Sequence, residues 1–373
     1  MLKFFETLTD SRQAWKVKHP LYEVVVLTIC AVVAECEAWY QIFHYCRTKE
    51  AWFRERIGLE LKNGIPSHDT FERVFGLIYP KELEKSFAYW IDSAKAGLEK
   101  DEVISIDGKT VCGSADDNKK AVHMVSAWAN RNRIVLGQVK TEEKSNEITA
   151  IPELLDMIDV SGSTVTIDAM GCQKKISEKI TAKGADYVFG LKDNQSELRE
   201  AAEDYFRAAI KDPALELEYM KKETLEKGHG RIEHRAYYLS NDIDWLDRKG
   251  WFHLNGIGMV ASCVEEKGQK RYEKRYYLTS LRDIDTFSSA VRQHWGIENS
   301  LHWVLDVAFN EDNCRTRKNY SGENFAVIRR IALNLLKQDN TPEMSMRMKR
   351  HRCAYDDDFL YNILFNTPLS RTS

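Results

Sequence analysis

Two short runs, VISID (103–107) and TVTID (164–168), constrain this chain more than any other feature. Both are rich in β-branched residues, as strands are, and each ends in a carboxylate. Asp107 and Asp168 are 61 residues apart, which leaves room for a hairpin and a crossover helix. Such a crossover returns the second strand parallel to the first. Both aspartates then sit at one sheet edge, beyond the C-terminal ends of the strands, where open α/β sheets bind ligands. Two close carboxylates repel each other and share a proton or a cation. Hard oxygen donors suit Mg2+ or Mn2+. Taken alone, SGSTVTIDAM also fits an ordinary solubilising aspartate at a strand end.

The intervening pattern supports the parallel return. AVHMVSAWA and RIVLGQVK are strand-like and flank an Asn130-Arg131-Asn132 turn. NEITAIPELLDMI is a helix, CQKKISEKITAKG another with Gly184 at its C-cap, and DYVFGLK a further strand. The order from 103 is therefore β-β-β-α-β-α-β. An acid-rich helix covers 193–212. ALELEYM, RIEHRAYYL, GIGMVASCV and KRYYLTSL then read as strands of a β-rich insertion over 213–282. Helices return over 284–307 and 323–337. Ahead of all this, 1–97 is helical: an apolar stretch from Leu21, a helix over 39–56, a start capped by Ser67, and a helix over 81–94. Residues 338–373 read as polar and irregular. The expected division is 1–97, 98–212, 213–282, 283–340 and a tail over 341–373.

A chain of 373 residues is too long for one ordinary core. Its 43% hydrophobic and 30% charged content marks a soluble globular protein, expected in the cytoplasm. A formal charge of −3 excludes a uniformly basic nucleic-acid binder, so any such contact must come from local patches. The longest apolar run, Val24–Ala34, lies between Glu23 and Glu35 and is too short to span a bilayer. Eight cysteines without a C-x-x-C pair point to reduced thiols.

A third chemical candidate lies in VRQHWGIENSLHWVLDVAFNEDNCRTR. His294, Glu298 and His302 fall at steps of four on a helix, with Asp306 one step further, so they share a face. A half-exposed polar stripe and a zinc site are the rival readings, although the H-E-x-x-H spacing is missing.

The chain resembles the DDE-type insertion-sequence transposases of the H-repeat-associated group. The resemblance rests on GIPSHDTFERVF, SIDGKTVCGS, EKSNEITAIPELL, TIDAMGCQ, DYVFGLKDNQ, HGRIEHR and RQHWGIENSLHWVLDVAFNED, which span nearly the whole chain in family order. It implies an α/β, ribonuclease H-like mixed-sheet core with a β-rich insertion, behind an all-α N-terminal DNA-binding domain. It also implies two Mg2+ (or Mn2+) ions on a triad of Asp107, Asp168 and Glu298. The implied reaction is metal-dependent cleavage and strand transfer at insertion-sequence ends. A catalytically silent relic and a nuclease without strand transfer are the alternatives. The implied partners are double-stranded DNA, both terminal inverted repeats and target, and a second copy of the chain when DNA is bound. No membrane is expected, and the protein should be nucleoid-associated when on DNA.

The broader class often shows Tyr-x2-Arg-x3-Glu-x6-Lys around the glutamate. Here Val291, His294 and Leu305 stand at the other three positions. Arg292, His294 and His302 are therefore expected to take over contacts to DNA phosphate. Lys109 follows Asp107 closely enough to meet a phosphate. Lys192 and Gln195 follow the next strand at the same edge. Arg231, with His229 and Arg235, lies in the insertion. Basic residues also collect at Arg315, Arg317, Lys318, Arg329 and Arg330, and again over 347–352. Trp251, Trp295 and Trp303 are candidate base-stacking groups, with core packing as the rival use. SNE at 145–147 reads as a helix cap.

Overall fold

The computed structural model describes residues 3–94, 101–115, 120–141, 146–228, 230–339, 341 and 344–369. His229 and Ser145 lie outside the described residues. Six helices come first: α1 (Lys3–Glu6), α2 (Leu21–Val33), α3 (Trp39–Thr48), α4 (Glu50–Trp52), α5 (His68–Phe75) and α6 (Pro80–Ala94). Helix α2 is buried all round except at Tyr22, because α1, α3 and α5 surround it together with C-terminal helices. Glu23 is tolerated inside because it accepts a hydrogen bond from the Leu61 N–H at 2.8 Å. Ser67 caps α5, accepting from the Thr70 N–H at 3.3 Å. No helix among the described residues is long and apolar enough to cross a membrane.

The sheet follows: β1 (Val103–Val111), β2 (Val122–Ala129), β3 (Ile134–Thr141), α7 (Glu147–Met157), β4 (Thr164–Ile167), α8 (Lys174–Ala182), β5 (Asp186–Leu191) and α9 (Ser196–Lys211). These strands run in the order β3-β2-β1-β4-β5. The first two pairings, β3 with β2 and β2 with β1, are antiparallel, whereas β1, β4 and β5 are parallel. This is the ribonuclease H-like arrangement. Gly184 takes a left-handed φ of 72° just beyond α8, a conformation open to glycine.

The β-rich segment extends the same sheet. Strands β6 (Met220–Gly228), β7 (Arg231–Ser240), β8 (Gly256–Glu266) and β9 (Gln269–Thr279) form an antiparallel meander, and β9 pairs with β5. The result is one nine-stranded sheet, β3-β2-β1-β4-β5-β9-β8-β7-β6. One expected strand is displaced. ALELEYM starts as a 3-10 turn, Pro213–Leu215, that Asp212 caps, and β6 begins only at Met220. Proline fixes φ and lacks the N–H that a ladder needs.

Helix α10 (Ile284–Ile297) then crosses β1, β4 and β5. A π-helical turn (Glu298–His302) joins it to α11 (Trp303–Phe309). Helix α12 (Ser321–Lys337) is buried except at Gly322 and Lys337 and touches α2, α6 and β3. Its Asn334 exchanges two hydrogen bonds of 2.8 Å with the backbone of Val135, and Asn324 donates to the carbonyls of Phe75 and Ile78. The main apolar core therefore runs from Phe5 to Leu369, with two smaller clusters beside it, one of them packing Phe287 and Val291 of α10 against the sheet.

The C-terminal segment is not the irregular tail read from its polarity. It forms α13 (Met346–Tyr355) and α14 (Asp357–Phe365), and it buries Cys353, Leu360, Ile363 and Leu364. Trp90 of α6 donates its indole N–H to the Leu369 carbonyl at 2.9 Å. Arg350 is fully buried. It donates to the carbonyls of Val32 and Ala308, which end α2 and lie near the end of α11, and it pairs with Glu37 at 2.9 Å. The two basic clusters are corrected in part, since Arg315, Lys318, Arg347 and His351 stay exposed. Arg329 and Arg330 are buried around Glu311, and Lys349 is buried against Asp339. Arginines on a helix that faces the core serve as its internal partners, not as a DNA surface.

Glu84 of α6 is also buried, and its Oε1 has no partner. Burial, reinforced by the Glu323 and Glu153 carboxylates, pushes its carboxyl up to about 8. Its ordinary value near 4.5 applies to the unfolded chain. The folded state therefore binds the proton more tightly, and stability falls as pH rises from about 4.5 to about 8. Glu84→Gln is expected to melt higher than the parent at pH 8 and to match it near pH 4. Thermal unfolding across that range checks this.

Candidate active site

Strands β1 and β4 pair in parallel from Val103 opposite Thr164 to Ile106 opposite Ile167. The next residues in that register are Asp107 and Asp168. Asp107 does not end its strand, as VISID suggested, because β1 continues to Val111 against β2. It does mark the point where β1 loses its parallel neighbour. Asp168 opens a 3-10 turn, Ala169–Gly171, and its carboxylate accepts from the Met170 N–H at 3.0 Å. Asn194 and Gln195 donate to the carbonyls of Ala169 and Cys172 at 2.6 and 3.0 Å. Gln195 thus braces the Asp168 turn with the amide that its place at the sheet edge suggests for DNA.

Successive residues of a strand face opposite sides of the sheet. Asp107 faces α10, and Gly108 faces α7. A Cβ at Gly108 would stand 2.4 Å from Glu147 Oε1 and 2.5 Å from His123 Nε2. Those two groups form a buried pair at 2.8 Å, and His123 Nδ1 meets the Thr110 hydroxyl at 2.8 Å. The glycine beside the aspartate is therefore required by a pair on the far side of the sheet. Glu147 is consequently more than a helix-capping residue.

Helix α10 brings Glu298 to the same place. His294 seats the helix on β4 through a 2.9 Å contact between its Nδ1 and the Thr166 hydroxyl. Lys109, two residues past Asp107, is buried between Asp306 and Asp312 at 2.8 and 3.0 Å. It ties β1 to α11 and to the following turn, and it is unavailable to a phosphate. The carboxylates of Asp107 and Glu298 and the imidazole of His302 present donor atoms within 4.8 Å of one another. Asp168 is outside that group but lines the same cavity, a space of about 470 Å³ shared with Asp107, Glu298, Lys192, Arg275 and Trp295.

The electrostatics follow from the crowding. Burial and the neighbouring Glu298 push the Asp107 carboxyl well above its usual range. The His302 imidazole holds the Glu298 carboxyl low. Burial and Glu147 raise Asp168, against which Lys192 pulls. Burial drives His294 down to about 4. That imidazole is neutral at physiological pH and is not the phosphate-binding cation that the sequence suggested.

The remaining candidates are dispersed. His302 is the exception, buried beside Asp107 and Glu298 and not facing solvent. Arg292 pairs with Glu226 of β6 at 2.9 Å. Arg231 is exposed at the tip of β7, and Arg315 is exposed beyond α11. Lys192 is exposed at the cavity rim. Trp251 is a core residue, Trp303 is exposed, and Trp295 carries the Arg275 guanidinium 4.6 Å from its ring centroid. Arg275 and Thr166 were not foreseen. Their place at the cavity depends on β9 pairing with β5 and on α10 crossing β4, which no local pattern announces.

The family described as "Transposase DDE domain" matches residues 98–335, and the family described as "DDE_Tnp_1-associated" matches residues 2–91. The chain belongs to the DDE-type insertion-sequence transposases. This transposase is 38% identical to the "H repeat-associated putative transposase YhhI" of Escherichia coli (strain K12), over 99% of both chains. It is 40% identical to the "Putative transposase YncI" of Escherichia coli O157:H7, over 98% of this chain and 94% of that one. A shorter relative, "Inactive transposase YbfQ" of Escherichia coli (strain K12), is 40% identical over 20% of this chain and 86% of its own length.

In this transposase the His123–Glu147 pair needs a bare backbone at position 108. Gly108→Ala is expected to destabilise the fold by about 1–3 kcal/mol through overpacking. Denaturant unfolding monitored by circular dichroism checks this, and an unchanged midpoint would show that the pair yields freely.

Proposed function

We propose that this transposase cuts and rejoins DNA at the ends of an insertion sequence, with Asp107, Asp168 and Glu298 as its catalytic carboxylates. The observation that carries the reading is the meeting of Asp107 and Glu298 within one cavity that Asp168 also lines. The family implies a divalent metal, and the donor set suits one. Two carboxylates stand side by side, and the lysine nearest to them in sequence is committed to other partners. Asp107, Asp168 and Glu298 would hold two such ions. Bound divalent ions activate the attacking water or 3′-hydroxyl and neutralise charge at the phosphoryl and leaving oxygens.

The chain's own groups do the rest. The β1–β4 register fixes the spacing of the two aspartates, and the α10 contacts fix Glu298 against them. Lys192 at the rim would meet a backbone phosphate. The exposed Arg231 and Arg315 would extend that track, and the helical N-terminal region would grip the element end. Transposition joins two ends, so the DNA-bound form is proposed to be a dimer acting in the cytoplasm on the nucleoid.

A relic that binds DNA without turnover is the second reading, favoured by the relative named inactive. That relative corresponds to a fifth of this chain, whereas this chain carries both matched family regions and all three carboxylates. Asp168→Asn is expected to lower Mg2+-dependent cleavage of a duplex carrying the element's terminal repeat by roughly a thousandfold or more. Binding of the same duplex in a gel-shift titration should persist. Strand transfer at the parental rate in that variant would overturn the assignment.

A further inference from the structure

His294, Glu298 and His302 occur at equal steps, yet the two histidines have different surroundings. His294 is spoken for by Thr166. His302 is 6% exposed: its Nε2 has no partner, and its Nδ1 stands 3.6 Å from Asp107 Oδ2 and 3.6 Å from Glu298 Oε2. A buried imidazole normally finds a closer partner. Here it faces two carboxylates that both stop short of hydrogen-bond distance.

That spacing is what donors sharing one ion would show. With metal–donor bonds of about 2.1–2.2 Å, two donors on one ion stand about 3.0 Å apart at a right angle and about 4.3 Å apart when opposed. The 3.6 Å separations lie between those limits. The local backbone supports the same grouping. Glu298 to His302 form a π-helical turn, with the Trp303 N–H reaching back to the Glu298 carbonyl. Such turns are rare and recur at functional sites. This one begins at the glutamate and ends at the histidine.

We infer that His302 is a nitrogen ligand, through Nδ1, of the ion held by Asp107 and Glu298, and that the mixed nitrogen–oxygen donor set makes this position prefer Mn2+ over Mg2+. The inference rests on the proposed metal-binding role of those carboxylates. Mg2+ is hard, favours oxygen and keeps its water, whereas imidazole suits transition ions better. Removing the imidazole while keeping the carboxylates should erase most of the preference.

The test is spectroscopic and needs neither DNA nor turnover. Mn2+ is added to the intact chain, and electron spin echo envelope modulation is recorded. Directly coordinated imidazole gives a 14N modulation, which changes when the chain is grown with 15N-histidine. We expect that signature in the parent and its loss in His302→Gln, with the Mn2+ over Mg2+ preference falling roughly tenfold in competition titrations. The labelled parent provides the readout even if the variant does not fold. Mn2+ bound in an Asp107-dependent manner without histidine modulation would overturn this inference and leave the carboxylate site standing. A modulation that survives His302→Gln would overturn it also. Binding that Asp107→Asn does not affect would overturn both this inference and the metal reading beneath it.

Discussion

The cleft is organised by one electrostatic difficulty: Asp107 and Glu298 occupy the same small space, partly shielded from water. Like charges at that separation cannot both ionise freely without a counter-charge. The surrounding contacts hold them together nonetheless. Thr166 and His294 fasten α10 to β4, and Lys109 fastens β1 to Asp306 and Asp312. The nearby lysine is thus used as a tie between elements and not as the neutralising charge. These ties fix the backbones that carry the two carboxylates, which is the preorganisation that a metal site needs, while the Glu298 side chain stays half exposed.

Much of this was legible in the sequence, for a physical reason. The 61-residue offset between Asp107 and Asp168 is the offset of the β1–β4 register itself. Strand alternation is a local signal, and a right-handed crossover leaves few other topologies. The helix after β9 was also legible, because polar residues recurred at steps of four. Its π turn was not, since nothing in ENSLH distinguishes a π turn from an α-helical one. The consequence is concrete: the two histidines of one stripe have different surroundings.

The basic clusters show the opposite case. Arg329, Arg330, Lys349 and Arg350 look like surface charge in a linear reading because their partners are distant in sequence. Glu311 lies well before Arg330, and Glu37 lies near the other end of the chain from Arg350. Likewise, α13 and α14 read as a polar tail because charged residues outnumber the few apolar ones that face inward. A short helix needs only one turn-to-turn apolar stripe to dock.

Arg350 carries a consequence for how copies of such an element decay. One guanidinium closes the end of α2, reaches the end of the helix that follows Glu298, and is supplied by α13, downstream of Asp107, Asp168 and Glu298. A frameshift or stop codon placed between the codons of Glu298 and Arg350 would spare Asp107, Asp168 and Glu298 and still remove the group that ties the two helices together. An intact trio of these carboxylates in a truncated copy is therefore a poor sign of a living element, and the codons of α13 are the better place to look.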